Sequence, residues 1–264
     1  MRSHAILGAA ILAASAAGPA RADWAEIQKR GSLRVLVMLD TRRPEFFSVQ
    51  KEAPGFDHEV LQGFAALQKV KLDLAPVESW DALLPALGEG KGDLIAGRFT
   101  VTESRTKVVS FTTEVFPTRN VVINRKPRKP ITSLEGLRSE KVGTIKGTSM
   151  AEAIAEARVP AANVDDGLPA GSFGEALKSG RVTAAVWGVE SAIALQREDP
   201  EIQLGLFLGP PRSLAYAVRK DDRELLARLD AYVENLRKTP TWSRLVVKYF
   251  GAAAPEILKR ARTQ

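Results

Sequence analysis

The chain has 264 residues, 45% of them apolar and 26% charged, with no cysteine and a formal charge of +7. These proportions describe a globular protein rather than a disordered one, and without thiols there is no disulfide framework, no cysteine nucleophile and no thiolate metal site. The densest basic stretch, Arg125-Lys126-Pro127-Arg128-Lys129-Pro130, is short and broken by proline, so it reads as a solvated loop and no nucleic acid is expected as a partner.

Met1 and Arg2 open on positive charge, Ala5 to Ala17 is a run of small and apolar residues, and Ala20-Arg21-Ala22 has the small-x-small spacing of a signal-peptidase site. Residues 1–22 are therefore expected to be a cleaved signal peptide, with the mature chain starting near Asp23 in the periplasm. The leader holds two arginines and no acid, so the mature charge falls by two to +5. Its apolar run is shorter than the roughly 20 residues that span a bilayer. About 240 residues remain, enough to bury a core without covalent staples.

Leu33 to Met38 reads as a buried strand, followed by a loop with Pro44, Phe46 and Phe47. Asp57 is placed as the cap of a helix with Val60, Leu61, Phe64 and Leu67 on its apolar face. Lys71 to Val77 alternates as a strand, Ser79 caps a short helix through Leu87, and Gly88 and Gly90 end it before the strand Asp93 to Ala96. A second series begins with strand Asn120 to Ile123. It continues with a short turn from Ser133, strand Lys141 to Ile145, a bend at Gly147 and a helix from Thr148 to about Arg158. Ser172-Phe173-Gly174-Glu175 fits a capping box, Gly180 stops that helix, and strand Val182 to Val186 leads through Trp187-Gly188 into a helix from about Glu190 to Arg197. Strand Ala215 to Val218 and helices Asp222 to Lys238 and Thr241 to Phe250 close the pattern.

Strands alternating with helices argue for an α/β fold, because parallel strands need crossovers. In such sheets ligands lie beyond the carboxyl ends of strands. The turns after Met38, Ala96, Ile145 and Val186 are thus the places to look for function. After Ala96, Thr102 is a natural N-cap and puts Arg105 on a first helical turn, where its guanidinium fork suits a carboxylate. Spacing alone leaves a second reading, a surface arginine paired with Glu103 or Glu114. After Ile145, Lys146-Gly147-Thr148-Ser149 forms a glycine bend into a helix start, an anion-binding arrangement with the wrong spacing for a phosphate loop. Taken alone, the pattern fits plain capping by Thr148 or Ser149 better.

The blocks Leu33-Arg34-Val35, Pro44-Glu45-Phe46-Phe47, Gly55-Phe56-Asp57, Trp80 to Leu87, Gly92-Asp93-Leu94-Ile95, Thr100 to Arg105, Phe111-Thr112, Lys141-Val142-Gly143, Gly147-Thr148-Ser149, Gly180-Arg181-Val182 and Ala217 to Lys220 occur in a fixed order. In that order the chain resembles the family 3 extracellular solute-binding proteins, the amino-acid-type receptors of ABC importers, from about residue 31 to Gly251. The resemblance implies a two-lobed type II periplasmic-binding fold, each lobe a mostly parallel sheet flanked by helices and the two joined by two crossing hinge segments. Lobe one would take residues 23–117 and 212–264, and lobe two 118–211. Ligand would sit in the cleft, its carboxylate clamped by Arg105 with Thr100, Thr148 and Ser149, and covered by Trp80 and Phe46. The implied partners are a small anionic or zwitterionic ligand and an ABC permease at the inner membrane, with the receptor a monomer.

Two departures bear on the ligand. Amino-acid receptors of this family usually carry, at the position of Gly188, an aspartate that pairs with the ligand ammonium, and Arg98 stands where a small residue is usual. Losing an acid and gaining a base favours an anionic or amine-free ligand held by Arg98 and Arg105, because an unpaired ammonium in a closed cleft costs at least about 1–3 kcal/mol. Glu190, two residues on, is the acid that could take the missing place.

No catalytic residue, metal or cofactor is expected. His58 is the only histidine after the leader, and a Ser-His-Asp triad would need it; its place one residue after a helix cap reads as solvent-exposed. Glu103-Ser104 resembles the Glu-Ser pair of lytic transglycosylases, some of which carry a lobe like this one, without the rest of that catalytic domain. Two alternatives stand beside the transport receptor. One is a cyclohexadienyl-dehydratase-like enzyme using an acid near Glu190. The other, suggested by Trp187-Gly188 and Arg42-Arg43-Pro44, is an accessory protein docking to a periplasmic enzyme such as a quinoprotein alcohol dehydrogenase.

Overall fold

The computed structural model describes residues 24–39, 45–48, 50 and 52–263. The expected leader and the Arg42-Arg43-Pro44 segment lie outside the described residues. The first lobe opens with α1 (Trp24–Arg30) and β1 (Ser32–Val37), then α2 (Phe56–Leu67), β2 (Lys71–Pro76), a 3-10 turn Trp80–Ala82 running into α3 (Leu83–Gly88), β3 (Leu94–Ile95), α4 (Glu103–Thr106) and β4 (Val109–Phe111). The long strand β5 (Phe116–Arg125) leads into α5 (Leu134–Arg138), β6 (Val142–Gly143), α6 (Ser149–Glu156), β7 (Val164–Asp165), α7 (Phe173–Lys178), β8 (Ala184–Gly188) and α8 (Val189–Glu198). A second long strand, β9 (Ile202–Leu214), returns to β10 (Ala217–Arg219), and α9 (Arg223–Arg237), α10 (Pro240–Phe250) and α11 (Ala254–Arg262) finish the chain.

Two five-stranded sheets result, in the orders β2-β1-β3-β10-β4 and β7-β6-β8-β5-β9. Each joins a parallel portion, β1 with β2 and β3 or β6 with β7 and β8, to antiparallel pairings made by one strand that enters from the other lobe, β10 in the first sheet and β5 in the second. Both sheets are therefore mixed: β10 runs against β3 and β4, and β5 against β8 and β9. The crossing strands β5 and β9 pair at Phe116 with Leu214 and at Thr118 with Arg212, with register shifts beyond. Pro210 and Pro211 lack an amide proton, and they are tolerated because β9 is an edge strand.

Burial explains the local choices. Along α2, Val60, Leu61 and Phe64 are fully buried, whereas Leu67, the last residue of the helix, is 65% exposed and leaves the expected apolar stripe. Phe46 belongs to an aromatic cluster. Its ring meets Phe56, Phe116 and Phe250 edge-on at 6.0, 5.8 and 5.4 Å between centroids, and Phe116 stacks on Phe250 at 4.7 Å. Such contacts add about 0.5–1.5 kcal/mol each beyond the area they bury. Helix α10 packs on α9 and α2 in the first lobe, but α11 leaves it and lies on β5, β9 and α8 of the second. The basic stretch from Lys126 to Pro130 is exposed, with Arg128 paired to Glu140. Among the described residues no helix is long and apolar enough to cross a membrane.

Some caps differ from expectation. Gly55, not Asp57, is the N-cap of α2, and the Asp57 carboxylate turns away to the turn after β3. Ser172 donates to the Pro169 carbonyl (2.7 Å), so the expected capping box does not form. Thr102 and Thr148 do cap, accepting from the amides of Arg105 and Ala151.

Candidate functional site

Between the lobes lies a cavity of about 510 Å³, its mouth included. It is walled by the turn after β3, the starts of α4, α6 and α8, and the crossing strand β5. Eight of the nine residues expected at the ligand line it: Trp80, Arg98, Thr100, Arg105, Thr148, Ser149, Gly188 and Glu190. Phe46 does not. Its ring is held in the aromatic core, where a flat apolar side chain buries more area than on a cleft wall.

Arg105 is 4% exposed. Thr102 fixes the turn beneath it, and the guanidinium lies over the Phe99 ring at 4.1 Å. Nη1 donates to the Thr100 carbonyl (2.8 Å) and Nη2 across the cleft to the Gly147 carbonyl (2.9 Å). Two of its five N–H donors are thus directed at described carbonyls. Burial lowers its pKa to about 10, with Glu152 opposing the fall and Arg212 adding to it. The pairing with Glu103 or Glu114 left open by spacing is not made: Glu103 is on the surface 3.3 Å from Lys107, and Glu114 takes Arg237 and Arg262.

Opposite Arg105 stands the start of α6. Thr148 donates to the Ile145 carbonyl (2.6 Å), and the first-turn amides lie at the positive end of the helix. Ser149 donates to the Thr100 hydroxyl (3.1 Å), and Asn120 donates to the Ser149 carbonyl (3.1 Å). Gly147 makes this junction possible: φ is 78°, and a Cβ there would lie 2.5 Å from the Asp81 amide nitrogen of the other lobe. Lys146 pairs with Asp81 at 3.5 Å on the rim, and Ser104 donates to Glu152 (2.9 Å).

The third wall carries an acid. Glu190 is 5% exposed and accepts from the Thr118 hydroxyl (2.7 Å). Burial raises its pKa; the Thr118 bond, its own amide and the charge of Arg98 pull it down, and Glu45 pushes it up. A Cβ on Gly188 would lie 2.3 Å from Glu190 Oε1. The Glu190 carboxylate therefore occupies the space that a side chain at position 188 would fill. Arg98 spans the lobes, donating from Nη1 to the Ser191 hydroxyl (3.1 Å) and lying 5.7 Å from the Trp80 ring centroid.

Thr118, Asn120, Ile145, Met150, Ala170, Gly171, Trp187 and Leu214 complete the lining. Thr118 and Asn120 escaped the sequence reading; they stand at period two on the buried face of β5, whose sequence also carries Arg119, Asn124 and Arg125, so the alternation did not single them out. His58 is half-buried against Phe47 (6.0 Å) rather than solvent-exposed, and it lies outside the cavity. No group of three His, Asp or Glu side chains among the described residues could hold a metal ion.

The cavity can hold a small polar molecule with a negative group at Arg105 and the α6 start, and a positive one at Glu190. Solved structures share the fold. Holo ArgBP from T. maritima has 28% sequence identity and a TM-score of 0.73, covering 86% of this chain and 99% of its own. An amino acid ABC transporter substrate-binding protein, AbpA from Streptococcus pneumoniae, bound to L-arginine, has 25% and 0.77, covering 87% and 99%. The ancestral amino acid-binding protein AncCDT-1, a precursor of cyclohexadienyl dehydratase, has 28% and 0.76, covering 86% and 98%. Curated relatives include membrane-bound lytic murein transglycosylase F of Desulfosudis oleivorans, 26% identical over 82% of this chain and 49% of that protein. The corresponding protein of Pseudomonas putida is 26% identical over 85% and 47%. The chain spans about half the length of these relatives. The profile of the bacterial extracellular solute-binding proteins, family 3, matches residues 33–252. Two mixed α/β lobes, a polar cleft between them and a match over most of its length together place this chain in the family 3 extracellular solute-binding proteins.

Proposed function

We propose that the protein is a periplasmic receptor that captures a small carboxylate-bearing ligand by hinge closure and delivers it to an ABC importer. The lobes divide as 23–117 with 212–264 and as 118–211, except that α11 is seated on the second lobe. The observation that carries this reading is the pair of opposite charges buried on facing walls, Arg105 and Glu190. Each is held in an environment that disfavours its charge. A ligand with a carboxylate at Arg105 and an amine towards Glu190 restores both counter-charges. That narrows the expectation drawn from Gly188: an amine-free dianion would bring negative charge against Glu190, so a zwitterion is the better fit. Ligand first held by Arg105 and Thr100 would gain the α6 and α8 contacts only on closure, and this differential affinity drives the lobes together.

A thermal-shift screen of ligand-stripped protein against α-amino acids and amine-free organic acids tests the reading, since a ligand bound only by the folded state raises the melting temperature. Stabilisation by an amino acid, with none from amine-free acids, is expected; no shift with any compound rejects it. Glu190 favours a second reading. A buried carboxyl with a raised pKa suits general-acid work, and one structural neighbour is a precursor of cyclohexadienyl dehydratase. Turnover of arogenate or prephenate, abolished by Glu190→Gln, would establish it.

A further inference from the structure

The turn that delivers Arg98 to the cavity has a backbone that side chains rarely adopt. Gly97 has φ 86° and Arg98 φ 62°, and the left-handed region crowds a Cβ against the following carbonyl. Beneath this turn lies Asp57 of α2, 3% exposed. Its Oδ2 accepts from the amides of Gly97 (3.1 Å) and Arg98 (3.4 Å), and its Oδ1 from the Tyr216 hydroxyl (3.0 Å). The Arg98 guanidinium extends the other way, to Ser191 of α8 and to Trp80 on the cavity wall. A buried acid that accepts from two consecutive amides and a phenol, with Arg98 as its charge partner through space, holds backbone rather than a side-chain cation.

We propose that Asp57 is a positioning residue of the binding cavity, its buried carboxylate holding the Gly97-Arg98 turn in the left-handed form and so fixing where the Arg98 guanidinium meets ligand and second lobe. Its importance for capture rests on reading the cavity as the ligand site, but its test needs no ligand, so either can fail without the other.

Burial raises the Asp57 pKa to about 6, against the pull of Tyr216, the two amides and the Arg98 charge. Tyr216 faces it directly, Arg98 acts through the turn, and Tyr232 of α9 couples through Tyr216. His58 and Glu59 are its neighbours on α2. A carboxyl that gains a proton is a weaker acceptor, so both amides should sense its titration in the mildly acidic range.

The amide resonances of Gly97 and Arg98 are to be followed by NMR in the ligand-free protein from mildly acidic to neutral pH. They are expected to shift together with one midpoint near that of Asp57. The step should vanish in Asp57→Asn and move to higher pH in Tyr216→Phe, which loses a bond that favours the ionised form. Thermal unfolding supplies a second arm. Glycine adopts the turn freely, so Asp57→Asn should lower Tm less in an Arg98→Gly background than in the natural chain. Equal losses in both backgrounds, or amides that do not titrate together, would make Asp57 an ordinary buried acid and overturn the proposal. Should Asp57→Asn fail to fold, an unmoved midpoint in Tyr216→Phe overturns it instead.

Discussion

Replacing Arg105 by methionine removes the charge from the cavity while keeping an unbranched apolar stem over Phe99. Holding the guanidinium charged at neutral pH costs about 3 kcal/mol, from the fall of its pKa from 12.5 to about 10. Against that stand two hydrogen bonds from a charged donor to the carbonyls of Thr100 and Gly147, together about 3–5 kcal/mol. The two nearly offset each other, so Arg105→Met is expected to lose no more than about 2 kcal/mol of stability, a fall in Tm of roughly 4–8 °C for a chain of this size. Ligand has no such compensation. Loss of a charge-assisted fork to a buried carboxylate, about 2–4 kcal/mol, weakens binding roughly 30- to 1000-fold. Calorimetry on the amino acid that gives the largest thermal shift, beside a melting curve of the ligand-free variant, reads both numbers. A variant that binds within about threefold of the natural protein would refute the placement of the ligand carboxylate at Arg105.

Gly188→Ala should fold normally, because the backbone there has φ −67° and the obstructing atom is the end of a flexible side chain; it should nevertheless displace the Glu190 carboxylate and weaken amine-bearing ligands at least tenfold by calorimetry, about 1.4 kcal/mol. Gly147→Ala would press on the Asp81 backbone of the other lobe and force a side chain into φ 78°, so scattering should show a more open particle whose ligand affinity falls, and the strained turn should lower Tm by roughly 2–4 °C, about 1 kcal/mol. Glu190→Gln removes a carboxyl whose pKa is raised in the folded state. The natural protein therefore loses stability as pH rises through that value, and the variant should be the more stable of the two at neutral and alkaline pH, its stability flatter across the acidic range where Glu190 titrates.

The sequence displayed the architecture because strand and helix signals alternate and because Thr102 and Thr148 cap where their position says they should. It concealed β9, whose glycines at 205 and 209 and prolines at 210 and 211 read as breaks; pairing with β5 overrides that local preference along an edge. Phe46 is placed over the ligand by the family resemblance. Its fate was decided by Phe250, a partner 204 positions away that no local pattern reveals. Asp57 looked like a cap for the same reason of locality, while its bonds run to Gly97, Arg98 and Tyr216. The Gly188 departure was visible as a missing acid. That Glu190 folds back into the vacated space depends on the strand-to-helix turn between them, which brings position 190 over position 188.

The last helix alters the mechanics of the whole molecule. Because α10 stays with the first lobe and α11 packs on the second, the short 3-10 segment Gly251–Ala253 leads to a third link between the two bodies beside β5 and β9, one completed by packing of α11 rather than by the chain. A pair of adjacent tethers permits twist as well as bend, and a third link anchored away from them would confine relative motion towards a single swing. In the proposed closure, the terminal helix would act as a stay, selecting the arc along which the halves part.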